Sequence, residues 1–464
     1  MNTSIVICNI RTGLKTFQHG LRNIRAFAMS AVAVSATVGL AFVPDRAEAD
    51  SVLDWNDIMV TTFLSQSPPV NPLAAARLAA ITHLAVFEAV NAVDTVYYPY
   101  LGTVSAQPGA SAEAAAVAAS HTVLSFYFPG DATFLDSERA NSLGGIPDGQ
   151  AKNDGIAVGE AAAVDMITLR ANDGAGPPQF HLPSSSVPGE WQLTAGCPPL
   201  GGVALHWGEV TPFGIDSGDQ FRAPPPPNLR SSRYSKDYNE VKLVGGTEST
   251  ARPADRADVA NFYDVALAVD TWNPAARQVA AAQATSLTTN ARAFALLNMA
   301  LSDGLVAVFD SKYHHRFWRP VTGIAEGDVD HNAKTEATLS FEPFISTPCH
   351  PSYPSAHASA AYAAVAVLER IYGKGKKSSH PILLTTPTLP DLELQYSTFE
   401  QIARDIDDAR VYGGIHFRFD QTSGMHQGTQ VGRFVLEHNL PEMNGYECLS
   451  SRVYPGGNGR AALS

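Results

Sequence analysis

An all-α fold, helical bundles joined by long proline-rich loops, is predicted for this 464-residue chain by three observations. Alanine-rich stretches carry larger apolar side chains recurring on one helical face, strand-like alternation is scarce, and proline gathers between about 174 and 227. The first 49 residues read as an export leader, with positives at Arg11, Lys15, Arg22 and Arg25, an apolar run from about Ala26 to Val43, and small residues at Ala47 and Ala49 before Asp50. That run is shorter than the roughly 20 residues a spanning helix needs. Arg22 and Arg25 are not adjacent, so a twin-arginine signal is not supported. Residues 50–464 are expected to form a single large helical domain, secreted or periplasmic. Its helices are expected at 73–93, about 110–127, 150–171, 274–310, 357–372 and 397–412, because alanine with larger apolar groups on one face suits a closely packed bundle. The stretch from Gly174 to Pro227 is expected as an ordered excursion over the bundle, since Phe180, Trp191, Trp207 and Phe213 give it side chains to pack. No repeat period is visible, which excludes a solenoid.

Removing the leader takes away five basic and two acidic residues and moves the formal charge from −13 to about −16. So acidic a chain has no use for nucleic acid as a partner. Cys197, Cys349 and Cys448 remain, an odd number that allows one disulfide of unassigned pairing. With no Cys-x-x-Cys pair, a zinc or iron–sulfur site has no support. The best later membrane candidate, Ala293 to Phe309, is interrupted by Asp303, so no stable membrane insertion is expected once the leader is gone. A homo-oligomer is left open.

The candidate site lies within residues 312–420, leaving the first half as scaffold, access channel or oligomer surface. Lys312 and Arg319 stand seven residues apart, and two helical turns would point both the same way if helix persisted. Pro320 biases Arg319 toward extended backbone and is expected to end the element. Ser355, in Pro354-Ser355-Ala356-His357, occupies a cap position, so the N–H groups after it face outward as anion donors. Arg410 and His416 flank Gly413-Gly414, whose glycines would permit backbone to approach a ligand, and Asp420 follows His416 by four residues, where it could orient the imidazole. Alone, the first segment reads equally as a solvated face, the second as an ordinary cap, the third as a helix break. Together they carry the cations, hydroxyl and imidazoles that complement one tetrahedral oxyanion.

This arrangement resembles the vanadium-dependent haloperoxidase and type 2 phosphatidic acid phosphatase superfamily, whose pattern is Lys-x6-Arg-Pro, Pro-Ser-Gly-His and Ser-Arg-x5-His-x3-Asp. Here Ala356 stands for the glycine and Ala409 for the serine. Asp54-Trp55-Asn56 and Phe87 to Ala92 also resemble its secreted haloperoxidase branch. The resemblance implies vanadate as cofactor, with phosphate fitting the same site. Lys312, Arg319, Arg410, Ser355 and the Ala356 N–H would hold its oxygens, His416 would be the metal ligand, and His357 would move protons. Hydrogen peroxide and halide would be the substrates, a small organic acceptor optional. His350, at a position that is histidine in algal bromoperoxidases, implies bromide or iodide over chloride. The alternative is a soluble phosphatase with His416 as nucleophile and His357 as general acid; a third reading is an anion-binding scaffold without turnover.

Overall fold

The computed structural model describes residues 50–373 and 381–443, so the leader and Cys448 lie outside the described residues. Its helices are α1 Ser51–Leu64, α2 Pro72–Val93, α3 Ala112–Tyr127, α4 Ala132–Gly144, α5 Gln150–Leu169, α6 Ser232–Val244, α7 Ala254–Val265, α8 Ala268–Gln283, α9 Leu287–His315, α10 Pro320–Ala325, α11 Ala356–Tyr372, α12 Phe399–Tyr412 and α13 Arg418–His438. Two short antiparallel strands, Ile382–Leu384 and Leu394–Tyr396, are the described sheet. The fold is all-α, as expected from the alanine-rich periodicity.

The helix expected over 274–310 is two helices. Ala284 adopts the left-handed region (φ 49°) and Ser286 caps α9 with its side chain, a break no glycine or proline announces. α9 then runs past Lys312 and stops at Arg316, itself left-handed at φ 46°. Lys312 and Arg319 therefore do not share a helix. Arg319 is extended as expected (ψ 157°), but Pro320 starts α10 at its first turn instead of ending an element.

Two helix sets, α1, α2, α3 and α5 and then α8, α9, α11 and α13, are built alike. Trp55-Asn56 on α1 and Trp272-Asn273 on α8 are buried, and Asn56 Nδ2 donates to Asn273 Oδ1 at 2.7 Å across the centre. Each asparagine also meets a polar residue of its own long helix, His83 on α2 at 2.8 Å and Asn298 on α9 at 3.0 Å. Lower on those helices, buried Glu88 and Asp303 each accept backbone N–H groups from a following loop or excursion. Trp55 and Trp272 are 217 residues apart, Gly155 and Gly424 269. Unequal loops thus hide this duplication from any search for a fixed period.

The second set docks through glycines. A methyl on Gly424, Gly428 or Gly432 of α13 would stand 2.5, 2.0 or 2.4 Å from the carbonyl oxygens of Ser355, Ser359 or Ala363, so α11 and α13 touch backbone to backbone. A smaller aromatic core joins Tyr234, Phe317, Trp318, Tyr353, Phe417 and Phe419. Each of the three site segments contributes to it. The proline-rich excursion packs, with Trp191, Trp207 and Phe213 buried. It is fastened by Trp191 N–H to Arg316 O, Trp318 N–H to Gly189 O, Val203 N–H to Cys349 O, and a Cys197–Cys349 disulfide with Cα atoms 5.3 Å apart. By length and hydropathy α2 and α9 could each cross a membrane, contrary to the reading from Asp303, but both are almost wholly buried inside the fold.

Candidate active site

Lys312, Arg319 and Arg410 converge although they come from the end of α9, the cap of α10 and the last turn of α12, and all three are buried. Lys312 Nζ donates to Pro351 O and Ser352 O, both at 2.8 Å, which leaves one ammonium proton. Arg319 donates from Nε to His350 O (2.9 Å), from Nη1 to Ile415 O and His416 Nε2 (both 3.0 Å), and from Nη2 to His350 Nδ1 (3.1 Å). Arg410 Nη1 donates to Tyr263 O at 2.9 Å, while its Nε is buried with no partner. Burial pushes Lys312 well below the ammonium range, with the Arg319 charge adding to it, and brings Arg319 down to about 9 and Arg410 to about 10.

A guanidinium only donates, so His416 Nε2 must accept from Arg319. The His416 proton therefore sits on Nδ1, which donates to Asp420 Oδ2 at 2.8 Å. His350 Nδ1 lies 3.1 Å from Arg319 Nη2 and 3.2 Å from Pro351 O, and its ring rests 5.1 Å from that of Phe309. Burial and then the surrounding cations hold His350, His357 and His416 well below the usual imidazole range, so all three are neutral near pH 7. His357, at the second position of α11, is partly buried and has no hydrogen-bond partner among the described residues.

Ser355 is the α11 cap: its Oγ accepts from Ala358 N–H at 3.3 Å and keeps its own proton to donate. The N–H groups of Ala356 and His357 open the helix, where no preceding turn can accept them. Asp420 Oδ2 accepts from His416, Ser352 and Phe417 N–H. His416 and Asp420 do not share a helical face, because α13 begins only at Arg418; Asp420 instead folds back over its own cap. Gly414 was expected to let backbone approach a ligand. It sits at φ 80°, and a methyl there would come 2.1 Å from Gly245 O, so its close approach is to protein backbone.

Sequence reasoning did not find Ser352, which bridges Lys312 and Asp420, nor Tyr263 and Asp264, the groups of α7 that face Arg410. Tyr263 acts through its carbonyl, which no residue type advertises. Ser352 lies three residues before Ser355 and could have been suspected only from that nearness.

Among the described residues, three buried cations stand against one engaged carboxylate, Asp420, and the partly buried Asp264. Isolated buried charge is costly unless paired. The two N–H groups that Ser355 leaves open at the start of α11, its own hydroxyl proton and an Arg410 N–H without a partner among the described residues could supply the donors for a tetrahedral oxyanion.

Residues 292–445 match the VCPO second helical-bundle domain. The fold superposes on a bacterial vanadium-dependent iodoperoxidase with TM-score 0.68 and 25% identity, over 84% of this chain and 96% of that one. The holo form of a bacterial vanadium-dependent chloroperoxidase matches at TM-score 0.63 and 17% identity, over 81% of this chain and 93% of its own, and the apo form scores alike. No curated protein matches in sequence.

Proposed function

From the chain's membership of the vanadium haloperoxidase superfamily, we propose that it binds vanadate and uses hydrogen peroxide to oxidise halide to hypohalous acid. The observation that carries this is the surplus of buried positive charge around an imidazole whose Nε2 carries no proton of its own. Vanadate fits that donor set: Lys312, Arg319 and Arg410 would offset its charge, Ser355 and the first N–H groups of α11 would bond its oxygens, and His416 Nε2 would be the ligand once Arg319 Nη1 gives up that lone pair for the anion's oxygens. Bound there, vanadate supplies a Lewis acid that activates peroxide toward halide.

The protein's part is orientation and proton handling. Asp420 fixes the His416 tautomer, so the lone pair faces the cations and not the carboxylate. His357, without a hydrogen-bond partner among the described residues, can take a proton from an incoming oxygen and return it to a leaving one. His350, beside Arg319 and against the Phe309 ring, gives the site a polarisable imidazole suited to a large anion; we assign bromide or iodide as the halide. The Cys197–Cys349 bond supports an exported protein, since disulfides persist in oxidising compartments.

The test assays the purified protein, with and without orthovanadate, against bromide, iodide and p-nitrophenyl phosphate in parallel. Vanadate-dependent bromination or iodination that His416→Ala abolishes is expected. No response to vanadate with any halide rejects the reading, and ester hydrolysis inhibited by vanadate replaces it with a phosphatase.

A further inference from the structure

Ser352 is where the three site segments meet. Its N–H donates to Phe317 O at 2.9 Å, two residues before Arg319, and its carbonyl accepts from Lys312 at 2.8 Å. Its hydroxyl donates to Asp420 Oδ2 at 2.6 Å and lies 3.3 Å from His416 Nδ1. The residue is fully buried, and the cis Tyr353-Pro354 peptide bond follows it directly.

A serine hydroxyl has one proton, and at 2.6 Å the Asp420 carboxylate takes it. Toward His416 the oxygen can then only accept. Since Nε2 already accepts from Arg319, Nδ1 carries the imidazole proton, and that proton is shared between Asp420 Oδ2 and Ser352 Oγ. Asp420 Oδ1 is buried with no partner among the described residues, so there one oxygen carries every donor and the other none. Without the serine hydroxyl, two of three side-chain and backbone donors remain on Oδ2, and the carboxylate gains freedom to turn Oδ1 toward the ring.

We propose that Ser352 is a positioning residue: its hydroxyl locks the Asp420 carboxylate and, through it, the plane and tautomer of the His416 ring, so that Nε2 faces the anion. The inference rests on the reading that an oxyanion binds beside His416. Its action is on geometry, and it touches no substrate.

The test compares wild type, Ser352→Ala and Ser352→Thr, the last keeping the hydroxyl. Affinity for inorganic phosphate and orthovanadate is read by calorimetry, the His416 tautomer by ¹⁵N NMR of the anion-free protein, and folding by thermal melting. Ser352→Ala is expected to weaken anion binding about tenfold, the scale of one hydrogen bond to a charged group, and to mix the two tautomers; Ser352→Thr restores both. An alanine variant with wild-type affinity and a single Nδ1–H tautomer overturns the proposal, as does a fall in melting temperature with neither changed. If wild type binds neither anion, the oxyanion reading fails, while the tautomer measurement still decides the role of Ser352.

Discussion

Ser111 caps α3 and Ser355 caps α11, and the two surroundings match bond for bond until the chemistry begins. The Ser111 N–H donates to Ala151 O at 2.9 Å and the Ser355 N–H to Asp420 O at 3.0 Å. A methyl on Gly155 would strike Ser111 O, and one on Gly424 would strike Ser355 O; Gly159 and Gly428 repeat this one turn on, against Ala115 O and Ser359 O. In this register Asp420 corresponds to Ala151, His416 to Pro147 and His357 to Glu113. The first set has an exposed acid where the second has a free imidazole, and the Ser111 hydroxyl spends its proton on that acid at 3.0 Å. The docking of two helices is thus a scaffold used twice. What would make one copy an anion site is Lys312 near the end of α9, the inserted loops with Arg319 and Ser352, and the three side chains the other copy replaces.

The strongest way to break this contrast is to carry the first set's acid into the second. His357→Glu should leave the fold intact, because an acid in the first helical turn is favourable and Glu113 already occupies that place in α3. Phosphate and vanadate binding by calorimetry should vanish, since the new carboxylate stands where the oxyanion would. Retained binding would mean that the imidazole position is not next to the anion. Next in size, Arg410→Ala should cost about 10²–10³-fold in kcat/KM, the scale of losing one donor to a developing oxyanion. Its anion-free melting temperature should hold or rise, because an incompletely paired buried charge is removed. A large loss of stability would instead make Arg410 structural.

The residues that converge were readable because their types are unusual together: no core needs Lys312, Arg319 and Arg410, and motif spacing marked them. The helices they sit on were less so. α13 carries Gly424, Gly428 and Gly432 together with Gln and Thr, a composition that argues against helix until α11 is seen to require bare backbone there. The ends of α8 and α9 fall at Ala284 and Arg316, residue types with no preference for the left-handed region they adopt. Backbone partners such as Tyr263 O and Pro351 O are silent in any sequence. Gly414 was legible as special while its neighbour Gly245 was not, because a glycine signals closeness without saying to what.

The mirrored buried acids sharpen the comparison through pH. Burial raises Asp303 to about 6, against the opposing N–H groups of Phe213, Gly214 and Ile215, and burial raises Glu88 as well. A carboxyl raised in the folded state is protonated there when the unfolded chain has already ionised. Its stabilising contribution is present below about pH 4 and is lost as pH climbs through about 6, a change of at most about 3 kcal/mol. Chemical denaturation from pH 4.5 to 7.5 should show Asp303→Asn gaining on wild type as pH rises. Parallel curves would remove Asp303 from the linkage and leave its role purely that of an acceptor.

The smallest expected effect is also the cleanest comparison of the two copies. Gly159→Ala and Gly428→Ala each place a methyl against a backbone carbonyl, at 2.3 and 2.0 Å, and neither contact can yield without parting two helices. Overpacking of this kind costs roughly 1–3 kcal/mol, so similar losses of melting temperature are expected. Function should separate them. Shifting α13 from α11 moves Asp420 and His416 relative to Ser355 and His357, so the folded fraction of Gly428→Ala should lose anion affinity. Parting α5 from α3 moves no group of the site, so Gly159→Ala should bind phosphate as wild type does, per folded molecule. Equal loss of affinity in both would show that the two helix sets are mechanically one body, and that the site depends on the packing of the whole and not on its own pair.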